Sequence, residues 1–344
     1  MPSIVGGLDI HRKQVTFDYL DVVTGEVKCG QIAPADRGHL RAWLQQFAGV
    51  PEVEFAVEAC TGWRYVTEEL AAAGVRPHLA EPADTAAARG RKRRAKTDRA
   101  DSRLIRDLLA QGRLPECWIP LAQVLEYRAL LETYHDLRRE HTAWLQRVHA
   151  VLFHQGAPVF HDLSRAEAAQ QLTEVAAAHL SLSGQQQIAL YLRMLEATAR
   201  ESDALRRQLV KAAGQLKGAR ELSARLYGVG PVTALALCCW LGGAGRFSSA
   251  RKAVRFAGLD ITVYSSDSKR SPGHLSRQGP PVLRWCLYEA GKTHARGGAP
   301  DHSYYAAVKD RKNGKRAALS EARKIIRQAC HLLTELGDDA FAAA

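Results

Sequence analysis

The chain predicts an α/β N-terminal part followed by a mostly helical remainder, and three observations carry that expectation. Residues 1–115 alternate short apolar strands with amphipathic helices in the order βββαβαβα, which calls for a mixed sheet with helices packed on it. Residues 120–220 hold long helical periodicities broken by turn residues. Residues 221–344 read as shorter helices set around Gly-rich turns.

Taken in order, Ser3-Ile4-Val5-Gly6-Gly7-Leu8-Asp9-Ile10 reads as a buried strand ending in an acid. Residues 15–20 and 26–32 alternate as two further strands, with Thr24-Gly25 at the turn between them. Leu40, Trp43, Leu44 and Phe47 fall at helical spacing and give a first helix over 36–48. Glu54-Phe55-Ala56-Val57-Glu58 is a fourth strand, again ending in an acid. A helix over 63–73 and a strand over 75–80 follow.

The next stretch organises the unit. Arg89-Gly90-Arg91-Lys92-Arg93-Arg94-Ala95-Lys96 puts six positive charges in eight residues, and Thr97-Asp98-Arg99-Ala100-Asp101 then heads a helix. Asp98 and Asp101 share a helix face, about 5–6 Å apart at Cβ. Two like charges that close make sense with a cation between them. Beside a run able to hold phosphates, they suggest phosphodiester chemistry. The plainer reading is a helix start rich in Asp to suit the dipole, after a solvated basic loop. Asp9 and Glu58 end strands, where sites assemble in α/β sheets, so the four acids are expected to converge. Paired acids can hold two Mg²⁺ ions for an in-line phosphoryl displacement. This arrangement resembles the ribonuclease-H-like fold in its Holliday-junction-resolvase version, whose acidic set is also Asp, Glu, Asp, Asp. Gly7-Leu8-Asp9-Ile10-His11 also resembles the first phosphate loop of actin-like and sugar-kinase ATPases. That fold needs a second Gly-rich strand and an adenosine loop, and the sequence offers neither.

The totals agree with a polyanionic partner. Lys and Arg number 48 against 36 Asp and Glu, a formal net charge of +12, with clusters at 89–96 and 309–316. Seven cysteines lack metal-ligand spacing. Their odd count, and a start without a signal peptide, predict reduced, buried thiols in a bacterial cytoplasm, near the nucleoid. No apolar run approaches the roughly 20 residues of a membrane span, so no membrane partner is expected.

In the middle, Leu130, Tyr134, Leu137, His141, Trp144, Val148 and Val151 recur at 4-3-4-3-4-3 spacing, a heptad seam. Gly156-Ala157-Pro158 breaks it, a short helix over 165–180 follows, and Ser183-Gly184 reads as a stop. A second long helix begins near Gln185. The two would form a helical coiled-coil arm over 120–220, serving as a dimerisation device or as a spacer. His141 in the seam reads as a packed polar residue rather than a ligand.

In the last third, Leu226-Tyr227-Gly228-Val229-Gly230-Pro231 has the form of a helix-hairpin-helix turn, whose Gly228 and Gly230 can present backbone N–H groups to a phosphate. The plainer reading is a tight turn between packed helices. A Ser-rich loop, Tyr264 to Gly273, comes next, and Gly279 and Pro280 precede another helix. Lys269, Arg270, Arg277 and Arg284 are placed to clamp a phosphate. A basic loop with Lys312, Lys315 and Arg316 is expected before a last helix at about 317–335.

Together these motifs resemble one family. Asp9, Glu58 and Lys96-Thr97-Asp98-x-x-Asp101 at the front, Leu226-x-Gly228-x-Gly230 and Phe256-Ala257-Gly258-Leu259 behind, then Tyr-x-Ser and Gly279-x-x-x-Leu283-Arg284, look like the DEDD-type insertion-sequence transposases. These are relatives of the Piv-type DNA invertases and include the bridge-RNA-guided recombinases. The resemblance implies a catalytic domain at 1–115, an arm at 120–220 and a C-terminal transposase domain at 221–344. It implies Asp9, Glu58, Asp98 and Asp101 as ligands of Mg²⁺, with Mn²⁺ as a substitute. It further implies Ser266 as a nucleophile that forms a covalent phosphoserine link to DNA. Ser265 remains the alternative, because the family's Ser-Gly is here Ser266-Asp267. Arg91, Lys92, Arg93, Arg94 and Lys96 are read as backbone contacts to DNA or guide RNA. The implied partners are DNA, a bridge RNA and further copies of the chain, as a dimer or tetramer. Two other functions stay open on the residues alone. One is a hydrolytic nuclease of the junction-resolvase kind, and the other is a non-catalytic nucleic-acid-binding protein.

Overall fold

The computed structural model describes residues 2–89, 97–158, 160, 166–262, 264–266, 269–271 and 273–343. They fall into two compact units, Met1–Ile119 and Pro120–Ala344. The first unit runs β1 (Ile4–Ile10), β2 (Val15–Asp21), β3 (Val27–Ile32), α1 (Arg37–Leu44), β4 (Val53–Glu58), α2 (Trp63–Ala72), β5 (Arg76–Ala80), α3 (Pro82–Ala88) and α4 (Asp98–Ala110). Its sheet has the order β3-β2-β1-β4-β5. The first three strands pair antiparallel, and β1, β4 and β5 pair parallel. This is the mixed sheet expected, consistent with a ribonuclease-H-like unit.

The core explains the register. Leu8, Phe55 and Val57 are fully buried on the central strands, and Leu40, Leu44, Val66 and Leu70 bring α1 and α2 onto the sheet. Gly6 is required there, since a Cβ would fall 2.0 Å from the Phe55 ring. The helix α3 escaped the sequence reading because only Thr85 of its seven residues is buried, so no periodicity marks it. Pro82 at its first turn and the Glu81 carboxylate, which accepts the Asp84 N–H at 2.6 Å, start it instead.

The second unit is helical apart from one hairpin. It runs α5 (Ala122–His154), α6 (Ala166–His179), α7 (Leu182–Gln215), α8 (Lys217–Arg225), α9 (Pro231–Leu241), α10 (Ala250–Phe256), β6 (Tyr264–Ser266), β7 (Lys269–Ser271), α11 (Pro281–Lys292), α12 (His302–Arg311) and α13 (Gly314–Leu336). The seam residues Trp144, Val148 and Val151 on α5 pack against Ile188, Tyr191, Leu192 and Leu195 on α7. His141 is a packed polar residue there, its Nδ1 3.2 Å from Thr198 Oγ1. Every residue of α9 from Ala234 to Leu241 is buried, as an all-round apolar helix must be. Arg128 of α5 donates to the Cys239 carbonyl at 2.8 and 3.0 Å.

Three expectations are corrected. Ser183-Gly184 is no stop but lies in the first turn of α7, because Ser181 Oγ caps that helix by accepting the Gly184 N–H. The Ser-rich segment is a β-hairpin rather than a loop. The basic segment is helical on both sides of a short break, since Asn313 Oδ1 accepts the Arg316 N–H and starts α13 at Gly314. No disulfide joins any of the seven cysteines; Cys29 is exposed, and Cys238, Cys239, Cys286 and Cys330 are buried. Among the described residues no helix is long and apolar enough to cross a membrane.

Candidate active site and nucleic-acid contacts

The acids meet because of a glycine. A Cβ on Gly7 of β1 would lie 2.1 Å from the Ser102 carbonyl oxygen and 2.6 Å from the Arg106 nitrogen, so α4 rests directly on this strand. Side chains of a strand alternate, so Gly7 and Asp9 share the face that α4 covers. Asp98 lies one helical turn before Ser102, which carries it back over Asp9. The Thr97 hydroxyl fixes that end by accepting the Ala100 N–H at 3.2 Å.

His11, two residues past Asp9, joins the pair. Its Nε2 lies 3.1 Å from Asp9 Oδ2 and 3.1 Å from Asp98 Oδ1. Gln14 Nε2 donates to the other Asp98 oxygen at 3.3 Å. Ligand atoms of Asp9, His11 and Asp98 lie within 4.8 Å of one another. Neither His11 nor Gln14 was picked out from the sequence, although Asp-x-His at a strand end was a visible signal. The site has a closed floor and an open mouth: the Asp9 side chain is 11% exposed and that of Asp98 42%.

Asp101 and Glu58 stand outside this tight set. Asp101 is buried in the first turn of α4, and Arg89 Nη2 lies 2.8 Å from its Oδ1, in ion-pair range but off a hydrogen-bonding line. Glu58 is placed by register: β1 and β4 pair through Leu8 and Val57, and Asp9 and Glu58 are the next positions of these adjacent parallel strands. Burial, then the charges of Glu58 and Asp9, raise the Cys60 thiol.

Electrostatics favour a cation here. Burial raises the Asp9 carboxyl above the usual carboxylate range; His11 opposes this, and Asp101 and Asp98 add to it by repulsion. Carboxylate oxygens are the donors that hard divalent cations take. A dication among these acids would relieve their repulsion, so the residues present fit one.

In the second unit, β6 and β7 pair Tyr264 with Ser271, Ser265 with Arg270 and Ser266 with Lys269. Ser266 therefore ends its strand at the hairpin tip. The side chains of Ser265, Ser266, Lys269 and Arg270 lie outside the described residues, as do Asp267 and the whole of Arg91, Lys92, Arg93, Arg94 and Lys96. The hairpin stem continues through Thr262 N–H to the His274 carbonyl at 2.9 Å and Ser276 N–H to the Asp260 carbonyl at 3.0 Å. His274, the histidine nearest the serines in sequence, belongs to that stem, its Nδ1 3.4 Å from Thr262 Oγ1.

The glycine motifs interlock behind the hairpin. A Cβ on Gly279 would meet the Phe256 carbonyl at 1.9 Å, and one on Gly258 would meet the Gln278 carbonyl at 2.3 Å. Arg277 donates its N–H to the Gly258 carbonyl at 3.2 Å. The Arg284 guanidinium donates to the Ala257 carbonyl at 3.2 Å, which ties the two turns together. Burial, then Arg277, lowers its pKa.

Two exposed surfaces carry the basic and glycine motifs singled out in the sequence. A groove of about 370 Å³ runs between the hairpin stem and the α12–α13 corner, and Arg311, Lys312, Arg316 and Arg323 line it. Lys312 and Arg316 were singled out in the sequence and Arg311 lies in the same basic run, 309–316; Arg323 was not picked out. Lys315 is exposed in the first turn of α13. The second surface is the turn between α8 and α9. A Cβ on Gly228, at φ +78°, would strike Thr293 Oγ1 at 2.2 Å, whereas Gly230 faces open space beside Arg296.

Comparison with known proteins fits both units. A model described as "DEDD_Tnp_IS110: Transposase" matches residues 6–154, and the "Transposase IS116/IS110/IS902 family" model matches residues 220–306. Together they cover more than half of the chain. The protein named "Putative transposase y4rJ" from Sinorhizobium fredii (strain NBRC 101917 / NGR234) is 26% identical over 297 residues, 79% of this chain and 73% of its own length. One model spans β1 to α4, the other spans the Gly-rich turns and the hairpin, and the chain belongs to the DEDD-type transposases of the IS110 family.

Proposed function

We propose that this transposase is a site-specific DNA recombinase that cuts and exchanges strands through a covalent phosphoserine intermediate. The observation that supports the reading most is the convergence of Asp9 and Asp98 on one point with Asp101 and Glu58 beside it, a repulsive set that a dication would stabilise. Asp9, Glu58, Asp98 and Asp101 would hold Mg²⁺, or Mn²⁺ in its place. Bound there, the ion would offset charge on the phosphate oxygens of the scissile group.

The chain's own residues supply the rest. Ser266 Oγ attacks the phosphorus, a serine–phosphate bond forms, and the bond to the 3′ oxygen breaks as that oxygen takes a proton. The phosphoserine keeps the bond energy of the cut strand, and a second 3′-hydroxyl can reverse the step on a new partner. The basic groove and the α8–α9 turn, read as a helix-hairpin-helix, hold backbone phosphates. Lys315 and Arg316 favour this reading, because cations in the first turn of a helix oppose its dipole unless an anion lies there. A surplus of +12 leaves room for a second nucleic acid, a structured guide RNA. The paired helices α5 and α7 are read as a coiled-coil arm through which copies of the chain associate, in a bacterial cytoplasm close to the nucleoid.

A trapping assay tests this. Wild type, Ser266→Ala and Ser265→Ala are incubated with Mg²⁺, cognate DNA and co-purifying RNA, then resolved on a denaturing gel. A shifted protein–DNA band lost only in Ser266→Ala is the expected result. Cleavage in all three without an adduct would replace the recombinase by a hydrolytic nuclease. An adduct lost only in Ser265→Ala would move the nucleophile by one residue. Cleavage unchanged in Asp98→Asn would remove the acids from the chemistry.

A further inference from the structure

The second unit also buries a carboxylate with nothing among the described residues to answer half of it. Glu321 on α13 has no exposed surface, in a helix that otherwise buries Ala317, Ala318, Ala322 and Ile325. His294, 4% exposed, sits in the 3₁₀ turn Thr293–Ala295 that ends α11. Asp301 precedes α12, and its carboxylate caps no helix N–H. Ligand atoms of the three lie within 4.8 Å of one another. Glu321 Oε2 is 3.7 Å from His294 Nδ1, beyond hydrogen bonding. Among the described residues, neither nitrogen of His294, nor Oε2 of Glu321, has a hydrogen-bond partner. Buried polar atoms are almost always paired, so orphaned atoms on two neighbouring buried side chains ask for a missing partner.

Lys324 does not fill that place. Its ammonium lies 3.4 Å from Glu321 Oε1 and 3.6 Å from Asp301 Oδ1, longer than the roughly 2.7–2.9 Å of a tight charge-assisted bond. The same ammonium rests over the Tyr304 ring, 3.6 Å from the centroid. The second oxygen of Glu321 and the imidazole are left over.

We propose that His294, Asp301 and Glu321 form a second metal site, which takes one first-row transition-metal dication of the Zn²⁺ class. One imidazole and two carboxylates are a donor set for such ions, with water as the fourth ligand. Ligands of a tetrahedral Zn²⁺ stand about 3.3–3.6 Å apart, close to the separation of His294 and Glu321. The three ligands come from the end of α11, the start of α12 and the middle of α13. An ion there ties these segments together. It also braces the α8–α9 turn, because the Tyr227 ring packs edge-on against His294 at 5.1 Å. The role is structural and independent of the recombinase reading.

The test uses the full chain carrying Asp9→Asn and Asp98→Asn, which removes the candidate site of the first unit. Equilibrium dialysis against Zn²⁺ and titration with Co²⁺, followed by its visible absorption, count the sites left. One equivalent of Zn²⁺, a Co²⁺ band and a Zn²⁺-dependent rise in unfolding midpoint are expected. Adding Asp301→Asn, at a partly exposed position, should weaken binding at least tenfold, and Glu321→Gln should abolish it. No retained Zn²⁺ and no Co²⁺ band in the background protein would overturn the proposal. Binding undiminished by Asp301→Asn would do the same, and that variant decides the matter if Glu321→Gln does not fold.

Discussion

Asp18 on β2 is 1% exposed and meets the guanidinium of Arg106, itself buried, on α4. Burial raises the Asp18 carboxyl above its usual range, and Arg106, then Arg103, opposes that shift. A buried charge without its partner is costly, so Arg106→Met should lower stability by about 3 kcal/mol. The sign with pH follows. A carboxyl raised in the folded state favours folding at low pH, and that contribution is lost as pH rises through the folded value. Urea unfolding of Arg106→Met should therefore show a larger deficit at pH 8 than at pH 5. The double variant Arg106→Met/Asp18→Leu should recover most of the loss. A double variant as weak as the single would mean that packing, not charge, holds α4 to β2.

At the scale of elements, the approach of α4 to β1 and the clasp between α1 and α2 hold the first unit in shape. Gly7→Ala puts a methyl group against the backbone of α4, where no side chain can yield. It should destabilise the unit by about 1–3 kcal/mol and reduce Mg²⁺-dependent DNA cleavage, although no acid is changed. Unaltered cleavage would separate the catalytic geometry from this contact. The Glu69 carboxylate of α2 is buried and takes two bonds from Arg41 and one from Arg37 on α1, each at 2.9 Å. Arg41, then Arg37, holds its pKa below the ordinary 4.5. That stability is present above pH 4.5 and is lost as pH falls through the lowered folded value. Both arginines are about half exposed, so Glu69→Gln should cost only about 1–2 kcal/mol at pH 7. The gap from wild type should narrow as the pH is lowered to 3, and a constant gap would assign the effect to packing.

For the whole molecule, a net charge of +12 makes binding to nucleic acid a matter of counterion release. DNA affinity should fall steeply between 50 and 200 mM salt. Each phosphate contact removed should flatten the log–log slope by about 0.9 on duplex DNA. Lys312→Gln and Arg316→Gln, at the rim of the α12–α13 groove, should each do so without changing which sequence is preferred. A slope unchanged in both variants would place the DNA elsewhere.

Much of this was legible in the sequence. The five strands of the first unit follow from alternation and apolar runs, and the acids at their ends follow from where α/β sheets build sites. The long helices α5 and α7 follow from sustained periodicity, and the family from the order of its motifs. The strand and helix signals are local, with periods of two to seven residues. What only the tertiary structure decided depends on segments distant in sequence. It took α4 lying on Gly7 to bring Asp98 over Asp9, and it showed His11 between them. The same holds for Phe256 against Gly279 and for the pocket of His294, Asp301 and Glu321, whose residues looked ordinary until three segments met. Side-chain periodicity records which face is buried but not what it is buried against, and chemistry is set by that second fact.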